Sequence, residues 1–391
     1  MDKKRSLSPE ARSIINSQVS RRALLAGAGG VGAAGLLTAC GGGSSTGAAS
    51  DGTVRWANWT LYLDYDSDKQ VYPTLEKFMA ESGINVDYKE DYNDNDEFWG
   101  KVQGQLKLGE DIGYDIVSPT DWMAGRWIRM GYAQKFDEAN IPNKVNILDA
   151  LANVSFDPGR KSSLTWQTGF GGFGWNKEKV PGGIKSLDQL FSKANKGKVE
   201  VLSELRDTIG IIMQYQGVDP SKDFTENQYM NAVDYLAKMI KDGFIRQVKG
   251  NDYKEDLISG DAIAVIGWSG DIFQLATENN GKFDFAIPES GGMLWSDNLL
   301  IPSTSTNKAN AEKVINNYYD PAVAAEVAAY VTYICPVKGA QAEMEKIDPK
   351  LASSPYIFPT EETLKNVKVF RSLTPAEETS FTTAFQEAAG N

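Results

Sequence analysis

The sequence predicts an α/β fold of two lobes, each a sheet flanked by helices, with a ligand cleft between the lobes. Three observations lead to this prediction. The chain has 391 residues, which is more than one ordinary hydrophobic core holds. Short strand patterns alternate with amphipathic helix patterns after residue 52. A break at Asp157-Pro158-Gly159 separates two such series.

The first series of elements runs from residue 53 to residue 130. Apolar periodicity predicts strands at 53–57, 84–88 and 114–117, and helices at 70–82, 96–108 and 122–130. Three strand–helix units in succession imply a sheet that is covered by helices.

The second series begins after the break. Its predicted strands are 168–175, 199–202, 261–266 and 299–302, and its predicted helices are 207–215, 228–241, 271–278 and 312–319. We assign residues 52–165 and 297–340 to lobe 1, and residues 166–296 and 341–391 to lobe 2. Ligand crevices form at the carboxyl ends of strands and at domain interfaces, so we expect the cleft there.

The first forty residues have the pattern of an export signal. Basic residues dominate before residue 23, and an uncharged run rich in Ala, Gly and Leu extends from Ala23 to Ala39. A transmembrane helix requires about 20 strongly apolar residues, and this run is shorter and rich in glycine. Residues 1–39 are therefore predicted to be a signal peptide that is removed.

Two short motifs refine this prediction. Leu37-Thr38-Ala39-Cys40 resembles the bacterial lipobox, which implies that Cys40 is lipidated. Ser20-Arg21-Arg22 resembles a twin-arginine export signal, with general secretion as the alternative route. Residues 40–51 are then the lipidated cysteine and a flexible tether. The protein is expected to be exported and anchored at the outer face of the cytoplasmic membrane, or periplasmic, with Cys335 as a buried thiol.

Composition excludes several classes of function. The chain contains no histidine, which excludes catalysis by Ser-His-Asp and Cys-His groups. With two cysteines and no histidine, a zinc site would require a cluster of carboxylates. The formal net charge is −12, and no basic stripe offsets it, which argues against nucleic-acid binding. We expect no metal, no cofactor and no nucleic-acid partner.

Aromatic and acidic residues, together with Thr60, stand beside the ends of the predicted strands. These residues are Trp59, Thr60, Asp121, Glu204, Asp207, Trp268, Asp271, Trp295 and Asp297. An alkyl diammonium requires carboxylates at its two ends and aromatic faces along its methylene groups. The pattern therefore indicates a small cationic ligand. The alternative interpretation of Asp271 and Asp297 is a capping role, with Asp271 at the start of a helix over 272–278.

Five segments resemble the spermidine/putrescine-binding proteins of bacterial polyamine ABC transporters. They are ANWTLYLD, GYDIVSPTDWMAGRWIRMGYAQKFD, GFGGFGWNKEKV, IGWSGDIFQLA and GGMLWSDNLLIPSTSTNKANAEKVINN. The resemblance extends over residues 53–370. It implies a periplasmic-binding-protein-like fold, a polyamine ligand and a membrane permease as partner.

The resemblance also implies roles for single residues. Trp59 and Thr60 correspond to the first cleft segment, and Glu204 and Asp207 correspond to acids of the second lobe. Trp268 and Asp271 correspond to a wall residue and an acid of the cleft. Trp295 corresponds to the central wall, Asp297 to the acid that binds an amine, and Tyr333 to a cleft tyrosine. The chain departs from the family at Leu61, where an acid is usual, and at Asp121, which we expect to replace the missing charge.

The sequence thus predicts a monomeric lipoprotein that binds a polyamine for an ABC importer and is not an enzyme. One alternative is a binding protein for another solute, either a different cationic amine or a sugar, because aromatic residues also stack on sugars. The other is a glycoside hydrolase, which needs no histidine but requires two carboxyl groups about 5–10 Å apart.

Overall fold

The computed structural model describes residues 52–390. The predicted signal peptide, the lipidation at Cys40 and the tether to residue 51 lie outside the described residues. Within 52–390, no helix has both the length and the apolar character needed to cross a membrane.

The first sheet has three parallel strands in the order β2-β1-β3. Its strands are β1 (Val54–Trp59), β2 (Val86–Tyr92) and β3 (Ile116–Val117). The helices that alternate with them are α1 (Pro73–Ser82), α2 (Asn95–Leu108) and α3 (Asp121–Arg129). The Asp94 carboxylate caps α2 and Gly109 ends it in the left-handed region, at φ 71°. The three predicted strand–helix units are confirmed.

The second sheet has seven described strands, in the order β10-β9-β4-β7-β5-β6 with β8 also paired to β4. These strands are β4 (Leu164–Asn176), β5 (Val199–Leu202), β6 (Ile245–Lys249), β7 (Ala264–Trp268), β8 (Phe283–Ala286), β9 (Gly292–Leu299) and β10 (Val367–Lys368). Strand β4 runs antiparallel to β7, β8 and β9, whereas β5 is parallel to β6 and β7.

The remaining helices lie between and after these strands. They are α4 (Leu187–Leu190), α5 (Leu205–Tyr215), α6 (Glu226–Lys241), α7 (Tyr253–Ser259), α8 (Ser269–Glu278), α9 (Lys308–Asn317), α10 (Pro321–Val331), α11 (Ala340–Ile347), α12 (Pro349–Ala352), α13 (Glu361–Lys365) and α14 (Pro375–Ala389). Short 3-10 helices lie at Glu138–Asn140, Pro142–Asn146 and Asp149–Leu151.

Two separate hydrophobic cores confirm the predicted α/β fold. The first core draws mainly on residues 54–166 and 299–357, and the second mainly on 170–293 and 367–385. Strand β4 passes from one core to the other, because Trp166 packs in the first and Phe170 in the second. The antiparallel strand β9 returns beside it. This strand pair therefore connects the two halves of the molecule.

The strand predicted at 299–302 is wrong, because the observed strand β9 is Gly292–Leu299. The alternation of apolar and polar residues that would have revealed it is absent, since four successive residues from Ser296 to Leu299 are buried. Trp295 and Asp297 therefore lie within a strand, opposite Gly169 and Gln167 of β4.

The division into lobes stays a prediction, and the cores differ from it at Trp166, at Ile334 and in one longer segment. Residues 341–391 were all assigned to lobe 2, yet Met344, Ala352 and Ile357 pack in the first core. The reason is that α11 packs against α10, whose apolar side chains belong to that core. Cys335 is buried as predicted, and burial raises the pKa of its thiol to about 12.

Candidate ligand-binding site

A cavity of about 390 Å³ lies between the two cores. Side chains of both cores line it, among them Tyr62 of the first and Met293 of the second. The lining includes all ten residues that the sequence predicts for the site, namely Trp59, Thr60, Asp121, Glu204, Asp207, Trp268, Asp271, Trp295, Asp297 and Tyr333. The folded chain thus brings the predicted residues together, while their roles toward a ligand stay predictions.

Asp297 is buried at the cavity wall and has no cationic partner among residues 52–390. Its carboxylate accepts hydrogen bonds from Tyr62 Oη at 2.9 Å and from Thr120 Oγ1 at 2.6 Å. Burial raises the pKa of Asp297 to about 8, the two hydrogen bonds oppose this rise, and the nearby charges of Asp121 and Asp207 add to it. Because Asp297 lies within β9, the capping interpretation is wrong for this residue.

Asp207 is a second buried acid that forms no ion pair in the described chain, although the charge of the neighbouring Arg206 opposes the rise of its pKa. It lies in the first turn of α5 and accepts a hydrogen bond from Trp268 Nε1 at 2.8 Å. Burial and the neighbouring Glu204 raise the pKa of Asp207 to about 7. Glu204 itself caps α5 through the Arg206 amide, at 3.1 Å, and accepts a hydrogen bond from Trp122 Nε1 at 3.0 Å.

Asp121 begins α3 and is partly buried. Its carboxylate accepts a hydrogen bond from Asn298 Nδ2 at 2.7 Å, and burial raises its pKa to about 6. Leu61, where the family usually has an acid, has a left-handed φ of 61°, and its amide donates to Glu90 at 3.0 Å. The Leu61 side chain is buried and does not line the cavity. That Asp121 replaces the missing charge stays a prediction.

Asp271 differs from these acids because a buried lysine lies beside it. The Lys254 ammonium is 3.3 Å from Asp271 Oδ1, and both side chains are less than a tenth exposed. The hydroxyl groups of Tyr253 and Tyr333 each donate a hydrogen bond of 3.0 Å to the same carboxylate. Helix α8 begins at Ser269, and its N-cap makes no side-chain hydrogen bond, so the capping interpretation of Asp271 is also wrong.

Aromatic rings form a continuous wall along the cavity. Ring centroids are separated by 6.4 Å between Trp59 and Trp268, by 6.3 Å between Trp268 and Trp295, and by 5.2 Å between Trp295 and Tyr333. Tyr62 continues the series, with its ring centroid 5.3 Å from that of Tyr333. In each of these four pairs the two rings make a T-shaped, edge-to-face contact. Such rings can present faces to an ammonium group or to methylene groups.

The sequence interpretation missed a group of charged side chains at one end of the cavity, which we call the Glu378 cluster (Arg126, Arg129, Arg206 and Glu378). The Glu378 carboxylate lies 3.2 Å from Arg126, 3.5 Å from Arg129 and 3.4 Å from Arg206. Trp122 packs against the Arg206 guanidinium at 3.9 Å. Arg126 and Arg129 belong to α3, whose apolar face lies in the first core, and Glu378 belongs to α14 of the second. The cluster therefore joins the two cores by ion pairs.

Known proteins share the sequence pattern of this chain. The model of a family described as bacterial extracellular solute-binding protein matches residues 74–358. The chain belongs to this family. Within the described part of this solute-binding protein, no group of three or more acidic or cysteine side chains is placed to hold a metal ion.

Relatives of this solute-binding protein align over most of its length. The spermidine/putrescine-binding periplasmic protein of Escherichia coli is 28% identical over 327 residues, which cover 83% of this chain and 88% of the relative. The putrescine-binding periplasmic protein SpuD of Pseudomonas aeruginosa is 27% identical over 344 residues, covering 83% and 89%.

Solved structures confirm the two-lobed periplasmic-binding-protein-like fold. A putative spermidine/putrescine ABC transporter protein from Listeria monocytogenes superposes with a TM-score of 0.75 at 24% identity, covering 86% of this chain and 99% of that one. The corresponding substrate-binding protein from Streptococcus pneumoniae superposes with a TM-score of 0.69 at 24% identity, covering 86% and 98%.

A test of the aromatic wall is provided by Gly169, which faces Trp295 across the β4–β9 pair. A methyl group on Gly169 would overlap Trp295 and would lie 2.7 Å from a ring carbon of Tyr333. Gly169→Ala is therefore expected to lower the free energy of unfolding by about 1–3 kcal/mol and to change the tryptophan fluorescence. Denaturant unfolding measures the first effect.

The matched control is Gly104→Ala, because a methyl group on this glycine of α2 would contact no atom beyond the backbone of its own helix. Alanine there should stabilise the protein by about 0.5–1 kcal/mol. Equal stability of the Gly169 variant and the wild type would show that the wall is loosely packed.

Proposed function

We propose that this solute-binding protein captures a polyamine outside the cytoplasmic membrane and delivers it to the permease of an ABC importer. The observation that carries the proposal is the pair Asp207 and Asp297. Both carboxyl groups are buried in an aromatic cavity, and neither forms an ion pair with a described residue.

A buried carboxylate without a counter-charge is costly, and the raised pKa values of these two acids express that cost. A ligand with two ammonium groups would supply both counter-charges through charge-assisted hydrogen bonds. Each contact between an aromatic face and a desolvated ammonium group would stabilise the bound ligand by roughly 0.5–2 kcal/mol. A neutral sugar would leave both acids unpaired, so the cavity favours a cationic ligand.

The relatives add independent support. The two relatives described above align with more than four-fifths of this chain and are named for binding spermidine and putrescine, or putrescine. By inference from this family the protein is exported and works with membrane subunits of a transporter. Lipidation of Cys40, anchoring at the outer face of the membrane and a monomeric state are parts of the same proposal.

Calorimetric titration of the purified protein tests the ligand. We expect at least one of putrescine and spermidine to bind with a dissociation constant in the micromolar range or lower. This corresponds to a binding free energy of about −8 kcal/mol or a more negative value. The control ligands are arginine, lysine and a panel of neutral sugars. Binding of a sugar without binding of any polyamine would contradict the proposal. Release of reducing sugar from oligosaccharides would instead indicate a glycoside hydrolase.

A further inference from the structure

The ion pair between Lys254 and Asp271 is not used by the proposed function. Lys254 lies in the first turn of α7, where its side chain points inward and is 8% exposed. Among residues 52–390, its ammonium has one ion-pair contact, the 3.3 Å contact with Asp271, and makes no hydrogen bond of regular geometry. A buried ammonium requires such a counter-charge.

This pair divides the acids of the cavity into two kinds. Asp271 lines the cavity but already faces a cation of the protein itself. Asp207 and Asp297 also line the cavity and form no ion pair within the described chain; the Arg206 beside Asp207 is itself paired with Glu204 and Glu378. Asp121 forms no ion pair either, but it lies near the buried Arg160, whose positive charge opposes the rise of its pKa. A ligand ammonium bound to Asp271 Oδ1 would lie no more than about 6 Å from the Lys254 ammonium, given a charge-assisted hydrogen bond of ordinary length. At that distance in a buried site, like charges repel strongly.

We propose that Lys254 is a specificity-determining residue, whose ammonium takes the place of a ligand amine at Asp271 and makes the cavity selective for a diamine over a triamine. This inference rests on the proposed polyamine function, because it concerns which polyamine is preferred. Asp207 and Asp297, which have neither an ion pair nor an otherwise unpaired cation beside them in the described chain, match in number the two charges of a diamine. The third ammonium group of a triamine could not use Asp271 in the same way, because the charge of Asp271 is already balanced by the Lys254 ammonium.

The first test uses the wild-type protein and needs no substitution. Calorimetric titrations are carried out with putrescine as the diamine and spermidine as the triamine. We expect putrescine to bind at least tenfold more tightly. Equal binding, or tighter binding of spermidine, would overturn the role of Lys254 while leaving the polyamine function intact. Failure of the protein to bind either amine would overturn both.

The second test removes the charge with little change of shape. In Lys254→Met, Asp271 becomes available to a ligand amine, so the ratio of spermidine affinity to putrescine affinity should rise at least tenfold. The double variant Lys254→Met/Asp271→Asn leaves no unpaired charge at positions 254 and 271, and its ratio should return to within threefold of the wild-type value. If Lys254→Met leaves the affinity ratio unchanged, Lys254 does not set the preference.

The matched control is Lys249→Met, which removes the same charge from an ion pair with Asp256 outside the cavity. It should leave both affinities within twofold of the wild type. A shift of the ratio in this variant as large as in Lys254→Met would mean that net charge, rather than the ammonium beside Asp271, sets the preference, and would overturn the inference.

Discussion

Replacement of Asp297 by asparagine is expected to weaken polyamine binding by about ten- to a hundredfold. The substitution removes a charge-assisted hydrogen bond to the ligand, which contributes about 1.5–3 kcal/mol. The amide has nearly the same shape and can still accept a hydrogen bond from Tyr62 or Thr120, which now bind the carboxylate at 2.9 and 2.6 Å. Calorimetric titration with putrescine and spermidine measures the loss.

Stability measurements separate a ligand contact from a structural role. An uncharged amide at position 297 needs no counter-charge, so the melting temperature of the unliganded variant should be no lower than that of the wild type. Asp68→Asn is the matched control, because Asp68 is exposed and lies outside the cavity. It should bind polyamines as the wild type does. Unchanged affinity of the Asp297 variant would remove this residue from the site.

Polyamine affinity is expected to rise at least tenfold between pH 6 and pH 8. In the empty cavity the pKa values of Asp207 and Asp297 are raised to about 7 and 8, so both acids are largely protonated at pH 6. The ligand amines stay protonated throughout, since alkylammonium groups titrate near pH 10. Binding therefore has to release protons from the acids, at a cost of about 1.4 kcal/mol for each pH unit below a pKa.

Titrations in two buffers of different ionisation enthalpy measure this proton release directly. The observed enthalpy at pH 6 should depend on the buffer, and in Asp297→Asn the number of released protons should fall. An affinity and an enthalpy that depend on neither pH nor buffer would contradict the assignment of these two acids as the ligand's counter-charges.

The empty protein should show the opposite trend in stability. The folded-state pKa of each acid lies above its value of about 3.9 in an unfolded chain. The folded state therefore holds protons that the unfolded state has lost, and the free energy of unfolding falls as pH rises toward 8. We expect a fall on the order of 4 kcal/mol between pH 6 and 8. A saturating polyamine should remove this fall.

Much of the fold could be predicted because its signals are local. The parallel strand–helix units up to α3 follow from apolar spacing and from helix ends such as Asp94 and Gly109. Strand β9 escaped detection because four of its successive residues are buried, so no alternation marks it. Segment 341–357 joined the first core through packing between helices, which the sequence does not encode locally.

The candidate site was predictable where acids and tryptophans stand beside strand ends. The sequence interpretation missed residues that contact the site from distant positions in the chain. Tyr62 reaches Asp297 across 235 positions of the chain, and Arg129 reaches Glu378 across 249. Lys254 is nearer in sequence to Asp271, but the contact depends on how α7 packs against α8. A lysine in an ordinary helix pattern gives no sign that it is buried.

The Glu378 cluster has a consequence for how affinity and selectivity can vary separately. Its ion pairs hold the two cores together and involve no atom of the ligand. The two cores can separate at the cluster only if these ion pairs break. A tighter cluster would increase the fraction of empty molecules already in the binding arrangement, and apparent affinity scales with that fraction. The same factor would apply to every ligand. Exchanges at Arg126, which does not line the cavity, could thus change the overall affinity while leaving the ligand preference unaltered.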